Sequence, residues 1–331
     1  MNPTDQEHTH GAFEVGAADP DVPSACVVRT ARRGGAPATS LPTVATLLAV
    51  DLGRVGVWWS GTWRRADDDT ADVASVLEGL GYGALWSSGG LEPGLAERFG
   101  RLLSATTDMT VASGIVSIWA TPARDIAGAA AALDTRYPGR FVLGLGASHA
   151  PLAENYSRPY AHMVGYLDEL DTAGPAVASD RRVLAALGPK MLALARDRAA
   201  GAHPYFVPVE HTARARQILG DGPLLAPEIT VVMERDPSTA RQAARTFTTG
   251  YLALPKYANN LRSLGFEEAE LTKGGSDRLV DAVVAWGDLD AVVARIRAHH
   301  AAGADHVCIQ VLSARESFPL TAYRELARAL A

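Results

Sequence analysis

From Asp51 to the C-terminus, short apolar runs alternate with longer amphipathic stretches, and this alternation constrains the fold more than any other feature of the 331 residues. Eight runs read as strands: Gly53–Trp59, Gly83–Trp86, Thr110–Ile118, Phe141–Gly144, Arg182–Leu187, Gly201–Phe206, Leu224–Met233 and Asp305–Leu312. Helical spacing marks Ala66–Leu80, Pro93–Ala105, Pro122–Tyr137, Arg158–Thr172, Lys190–Ala199, Glu210–Leu219, Pro237–Leu254, Leu289–Ala302 and Leu320–Leu330. The stretch Pro255–Ala285 breaks the rhythm with short helical pieces and Gly274–Gly275. Each crossover helix returns the chain to the same edge, so the strands form a parallel sheet. Eight such units over about 280 residues fit a closed α/β TIM (β/α)8 barrel, with the irregular stretch as a loop insertion capping its C-terminal mouth. A doubly wound open sheet would want a G-x-G-x-x-G turn after its first strand; Trp58–Trp59–Ser60–Gly61–Thr62–Trp63 stands there instead.

Residues 1–48 are polar, without sustained period, and read as a disordered tail ahead of a barrel domain at 49–331. His8 and His10 lack a third ligand for a metal. Arg32–Arg33 ahead of Val44–Val50 has the outline of a twin-arginine export signal, but Gly34–Gly35–Ala36–Pro37 follows in place of its consensus, so the expectation is a cytoplasmic protein. Lys and Arg number 31 against 37 Asp and Glu, which speaks against nucleic acid as a partner. No apolar run approaches the roughly 18 residues of a membrane span. Cys26 and Cys308 are too few for a disulfide framework or a cysteine zinc site, and no metal is expected.

Barrel chemistry sits at the C-terminal ends of strands. That rule selects Trp58, Trp59 and Trp63 after the first strand, Trp86, Ser87, Ser88, Gly89 and Gly90 after the second, Ser113–Gly114–Ile115 in the third, and Ala147, Ser148 and His149 after the fourth. It also selects Gly188, Pro189 and Lys190 after the fifth, His203, Pro204 and Tyr205 after the sixth, and Gln310 near the end of the eighth. The aromatic cluster suits a flat ring system. By alternation, one of Trp58 and Trp59 points outward and packs. Gly114 in a β-branched strand marks a bulge, a close backbone approach or a packing glycine. Gly188–Pro189 opens a helix whose free N–H groups suit an anion, with Lys190 adding charge or lying in solvent. His149 follows Gly144–Leu145–Gly146 and can sit beside a ligand. His211, His299, His300, His306 and Glu228 read as structural or solvated. G-x-S-x-G, P-loop and H-E-x-x-H motifs are absent, so the chemistry is expected to belong to a bound cofactor.

Six fragments carry a family resemblance: Gly53–Trp59, Val111–Ala127, Pro138–Ala150, Leu184–Tyr205, Tyr251–Phe266 and Gly275–Asp288. In this order they resemble the luciferase-like monooxygenase family, and more closely its actinobacterial branch that uses the deazaflavin coenzyme F420. The resemblance implies a ring in the barrel mouth, held by Trp58, Ser88 and His203, with Tyr205 a less certain lining residue. A bulge, often with a non-proline cis peptide, would set Ser113, Gly114 and Ile115 against it. The phosphate-bearing tail would follow Gly188, Pro189, Lys190 and Met191. His149 would be the catalytic residue near the pyrimidine side, titrating near neutrality. Trp86, Tyr251 and Tyr257 would meet the substrate, under a cap around Tyr251–Leu261. Related sugar-phosphate dehydrogenases have an Asp-His pair after the second strand where this chain has Gly89–Gly90; their usual histidine base is absent, which speaks against a sugar-phosphate dehydrogenase, although another base such as His149 could serve. The implied activity is hydride transfer between the deazaflavin C5 and a small organic substrate, by a homodimer. Two alternatives stay open: an FMN-dependent monooxygenase served by a separate reductase, and a non-catalytic cofactor-binding barrel.

Overall fold

The computed structural model describes residues 51–59, 67–89, 94–153, 155–313 and 318–331. The expected tail, its histidines, Cys26, the Arg32–Arg33 pair, Ser60–Trp63, Gly90 and Pro93 lie outside the described residues. Parallel strands β1 (Val55–Trp59), β2 (Ala84–Ser87), β3 (Thr110–Ser113), β4 (Val116–Ser117), β5 (Phe141–Gly146), β6 (Arg182–Leu184), β7 (Gly201–Ala202), β8 (Leu224–Leu225), β9 (Glu228–Val232), β10 (Val284–Trp286) and β11 (Val307–Val311) make one sheet. β3 and β4 are one strand interrupted at Gly114–Ile115, whose peptide bond is cis. β8 and β9 are likewise one run. Its start takes bonds from the β7 side (Leu224 N to Ala200 O, Glu228 N to Pro204 O), and β9 pairs with β11, which pairs with β1. The sheet thereby closes on itself, and the eight strands read from the sequence are the eight staves of a barrel.

The helices return the chain between staves: α1 (Asp67–Gly79), α2 (Leu95–Ser104), α3 (Ala123–Arg136), α4 (Pro159–Thr172), α5 (Pro189–Arg198), α6 (Val209–Leu219), α7 (Pro237–Leu252), α8 (Pro255–Ser263), α9 (Asp277–Val283), α10 (Leu289–Ala301) and α11 (Leu320–Leu330). Two expectations need correction. α2 starts at Leu95 behind a left-handed Gly94, later than the expected start at Pro93, which itself lies outside the described residues. The insertion is not only helical pieces, because Val284–Trp286 adds strand β10 to the edge of β9.

Strand alternation sorts the core. Trp59 points out and packs edge-on against Phe318, whereas Trp58 points in. Inside, Trp86 is fully buried, stacks on His203 at 4.3 Å and donates from Nε1 to His306 Nε2. His306 Nδ1–H in turn donates to the Gly53 carbonyl, 2.8 Å away. Gly56 and Ala84 leave the room these rings take: a Cβ on Gly56 would stand 2.6 Å from His306 Nε2. A separate apolar cluster of Phe206, Leu252, Leu261, Phe266, Leu279 and Val283 joins the insertion to α7.

Candidate functional site

A cavity of about 770 Å³ opens at the C-terminal ends of the strands. Trp58, Ser88, Gly114, Ile115, His149, Gly188, Pro189, Lys190, Met191, His203, Tyr251 and Tyr257 all line it, so the fold brings together the residues selected at separate strand ends. Trp59, Ser87, Gly89, Pro204 and Gln310, selected by the strand-end rule, do not line it, and two residues that the resemblance assigns to the site do not reach its wall either. Trp86 lies beneath His203 as barrel filling. Ser113 is fully buried, with its hydroxyl donating to the Gly144 carbonyl and accepting from the Gly144 amide across the strand gap.

The floor is aromatic and polar. Trp58 lies 5.2 Å from Tyr205, whose hydroxyl donates to Gln310 Oε1 at 2.7 Å and pairs with the Tyr251 hydroxyl at 2.9 Å. His203 donates from Nδ1 to the Ala226 carbonyl at 2.7 Å, which leaves Nε2 as a bare acceptor; burial holds this ring neutral, with a pKa down at about 4. Trp58 Nε1 and His203 Nε2 are both buried without a partner, and both face the bare Cα of Gly114. A Cβ there would stand 2.6 Å from the first and 3.4 Å from the second.

His149 is half-buried beside Tyr257, and its Nδ1 is also without a partner. Burial first, and then the nearby Lys256 ammonium, push its pKa down to about 4. The expectation of a histidine titrating near neutrality is therefore corrected: at neutral pH this ring is uncharged, with one nitrogen free of a proton. Lys256 comes from α8 in the insertion and donates to the Ser148 carbonyl at 2.6 Å and the Ala147 carbonyl at 3.3 Å. Burial lowers its own pKa to about 8.

Sequence reasoning took Lys256, Asn259 and Asn260 only as part of the Tyr251–Leu261 cap and missed Arg214 and Ser263; all five line the cavity. The signal was present in the insertion: Lys256, Asn259, Asn260 and Ser263 recur at i, i+3, i+4 and i+7, one polar helix face. With these residues the wall's charge is one-sided. Lys190, Arg214 and Lys256 line it without a described carboxylate partner, and no Asp or Glu is among the described lining residues, in a chain of net charge −6.

The other histidines are held by the scaffold. His211 bonds to the Leu187 carbonyl, His299 to the Thr212 hydroxyl and His300 to the Ala304 carbonyl. Glu228 is different. It is fully buried inside the barrel, accepts from the Thr230 hydroxyl at 2.7 Å and from the Phe206 amide at 3.3 Å, and burial raises its pKa to about 7. Phe206 sits in the left-handed region (φ +57°), so this bond helps hold a costly conformation that turns Tyr205 inward. Because the folded-state pKa lies above the unfolded one, the penalty for Glu228 is absent below about pH 4.5 and accrues up to about pH 7. The size of the shift corresponds to roughly 3 kcal/mol. Glu228→Gln should therefore unfold in urea with a stability that falls less than the parent's between pH 4.5 and 7.5; parallel profiles would rule this out.

The closed parallel sheet and the mouth at the C-terminal ends of its strands define the class: a (β/α) barrel. The family model described as luciferase-like monooxygenase matches residues 60–173, and the resemblance read from the sequence stands. An F420-dependent secondary alcohol dehydrogenase, solved with an F420–acetone adduct, is similar over 84% of this chain and 99% of its own, at 15% identity and a TM-score of 0.65. A coenzyme F420-dependent tetrahydromethanopterin reductase from Methanopyrus kandleri is similar over 83% and 97%, at 15% identity and 0.62. The oxygenating constituent of 3,6-diketocamphane monooxygenase from Pseudomonas putida, in complex with FMN, is similar over 84% and 96%, at 14% identity and 0.59. No curated protein matches the sequence. Among the described residues no helix is long and apolar enough to cross a membrane, and no group of three or more His, Cys, Asp or Glu is placed to hold a metal.

Proposed function

We propose that the chain is a coenzyme F420-dependent oxidoreductase acting on a small organic substrate. The observation that carries this is the wall itself. Four cavity residues, Trp58, His149, His203 and Asn260, each carry a buried side-chain polar atom without a described partner. Orphaned buried polar atoms cost about 1–3 kcal/mol each, and a ligand that supplies partners offsets that cost. A flat, anion-bearing ligand fits the bare Gly114, the aromatic floor and the cation-only lining. The order of the family fragments and the two F420-dependent neighbours support the deazaflavin over FMN.

When bound, the deazaflavin would accept or donate a hydride at its C5. The chain does the rest. Trp58, Ser88, His203 and the Ser113–Ile115 backbone would seat the ring, with Gly188, Pro189, Lys190 and Met191 at the tail. Tyr251 and Tyr257 would cover the substrate. His149, neutral above about pH 4, would take the proton that leaves a hydroxyl when its carbon gives up a hydride. A homodimeric, cytoplasmic enzyme belongs to the same reading.

Side-by-side fluorescence titrations with F420 and FMN test it. Micromolar F420 binding with much weaker FMN binding is the expected result. The reverse preference would move the chain to the monooxygenases and turn the search to a reductase and oxygen. Tight binding without turnover over many acceptors would favour a non-catalytic barrel.

A further inference from the structure

Tyr251, near the end of α7, lines the cavity at the head of a directed chain of hydrogen bonds. Tyr205 has one hydroxyl proton and gives it to Gln310 Oε1, 2.7 Å away. The 2.9 Å contact between the Tyr205 and Tyr251 hydroxyls therefore has Tyr251 as its donor. Tyr251 then has no proton left for a ligand, and its oxygen accepts from no described residue. What it offers the cavity is an acceptor. Burial, and then the nearby Glu228 carboxylate, push both phenols up, Tyr251 to about 12, so both keep their protons at neutral pH. Phe206 stacks on the Tyr251 ring at 5.2 Å and fixes its place.

His149 supplies a second acceptor. Its Nδ1 has no partner, and His149 and Tyr251 both pack on the Tyr257 ring, with centroids 4.8 Å and 5.3 Å away. One hydroxyl gives one proton and can satisfy only one of the two acceptors. An ammonium donor would meet the like charges of Lys190, Arg214 and Lys256. We infer that the substrate is a diol, whose reacting hydroxyl meets His149 and whose second hydroxyl donates to Tyr251. This rests on the oxidoreductase reading and names its substrate class. Tyr251 sets specificity by contact, and Tyr205 and Gln310 act through it by fixing the direction of the chain.

The test is equilibrium binding to the protein with and without F420, read by calorimetry and ligand-observed NMR. The probes are cyclic and open-chain diols, each beside its monomethyl ether, which keeps the carbon frame and one donor. At least one diol should bind about tenfold tighter than its ether, because the ether sets an acceptor against an acceptor. Tyr251→Phe keeps the ring and its stacking, and should bring that pair within about twofold. Gln310→Met leaves Tyr251 in place but frees the Tyr205 proton, so the chain can reverse and Tyr251 can donate. The ether should then gain about fivefold, which a role in shape alone would not produce. Circular dichroism and melting temperature show that both variants fold. Ethers that bind as well as every diol, or a panel without a binding diol, overturn the inference. A preference that survives Tyr251→Phe overturns it too. If F420 fails to bind while the diol preference persists, the deazaflavin reading falls and this subsite stands.

Discussion

His149→Ala should lower the hydride-transfer rate by about 10²- to 10⁴-fold, the range for losing a positioned general base, while cofactor affinity changes by no more than about threefold. The two readouts separate chemistry from binding. His149 sits at the β5 loop beside Tyr257, whereas the tail is expected at the Gly188–Met191 turn, so its loss should lower the rate far more than the affinity. The pH profile adds a second check. A base works unprotonated, and burial with Lys256 nearby has moved this ring's pKa from 6.5 to about 4. Activity should therefore fall only as the pH drops toward about 4, with no limb near 6.5. Lys256→Met should move that limb upward, because it removes the neighbouring positive charge. Equal turnover in His149→Ala would remove the residue from the mechanism.

The second large effect concerns stability. Gly144→Ala should destabilise the barrel by about 3 kcal/mol or more, because a Cβ there would overlap the Ser113 carbonyl oxygen, a backbone atom that cannot rotate away. The same glycine exchanges two hydrogen bonds with the Ser113 hydroxyl. This crossing supports the backbone on which Gly114 and Ile115 line the mouth. Gly128→Ala provides the contrast. It lies in α3, exposed, with nothing within 4 Å of its Cβ position, and should raise stability by about 0.5–1 kcal/mol. Urea unfolding of both variants measures the difference. If both glycines tolerate alanine alike, the close strand approach at Ser113 does not constrain the barrel as described.

Much of this molecule was legible in one dimension. The period of the apolar pattern decided strand and helix, because burial on one face of each element is a local property of the chain. The alternation in Val55–Trp59 put one tryptophan inside and one outside, as found for Trp58 and Trp59. The rule that barrel chemistry lies at strand ends selected twelve of the 28 described lining residues. It overreached at Trp86 and Ser113, which sit at the right height but are used as filling and as a strand clamp. Nothing in their local sequence distinguishes a ring that lines a cavity from one that lies a layer beneath it.

What only the tertiary structure decided comes from groups distant in sequence. Lys256 reaches the Ala147 and Ser148 carbonyls more than 100 residues away and, with burial, sets the charge state of His149. Glu228 is an unremarkable strand-start carboxylate in the sequence, yet closure of the barrel buries it and pushes its pKa to about 7. The insertion read as irregular because its pattern serves a second apolar cluster and a short strand, β10, that pairs only once β9 is in place. Sequence by itself determined the elements, their order and the end of the barrel that carries the site, since these depend on local periodicity and chirality. Tertiary structure decided which atoms are left unpaired there and what charge each group carries, since desolvation and Coulomb interactions depend on neighbours that only the closed barrel brings together.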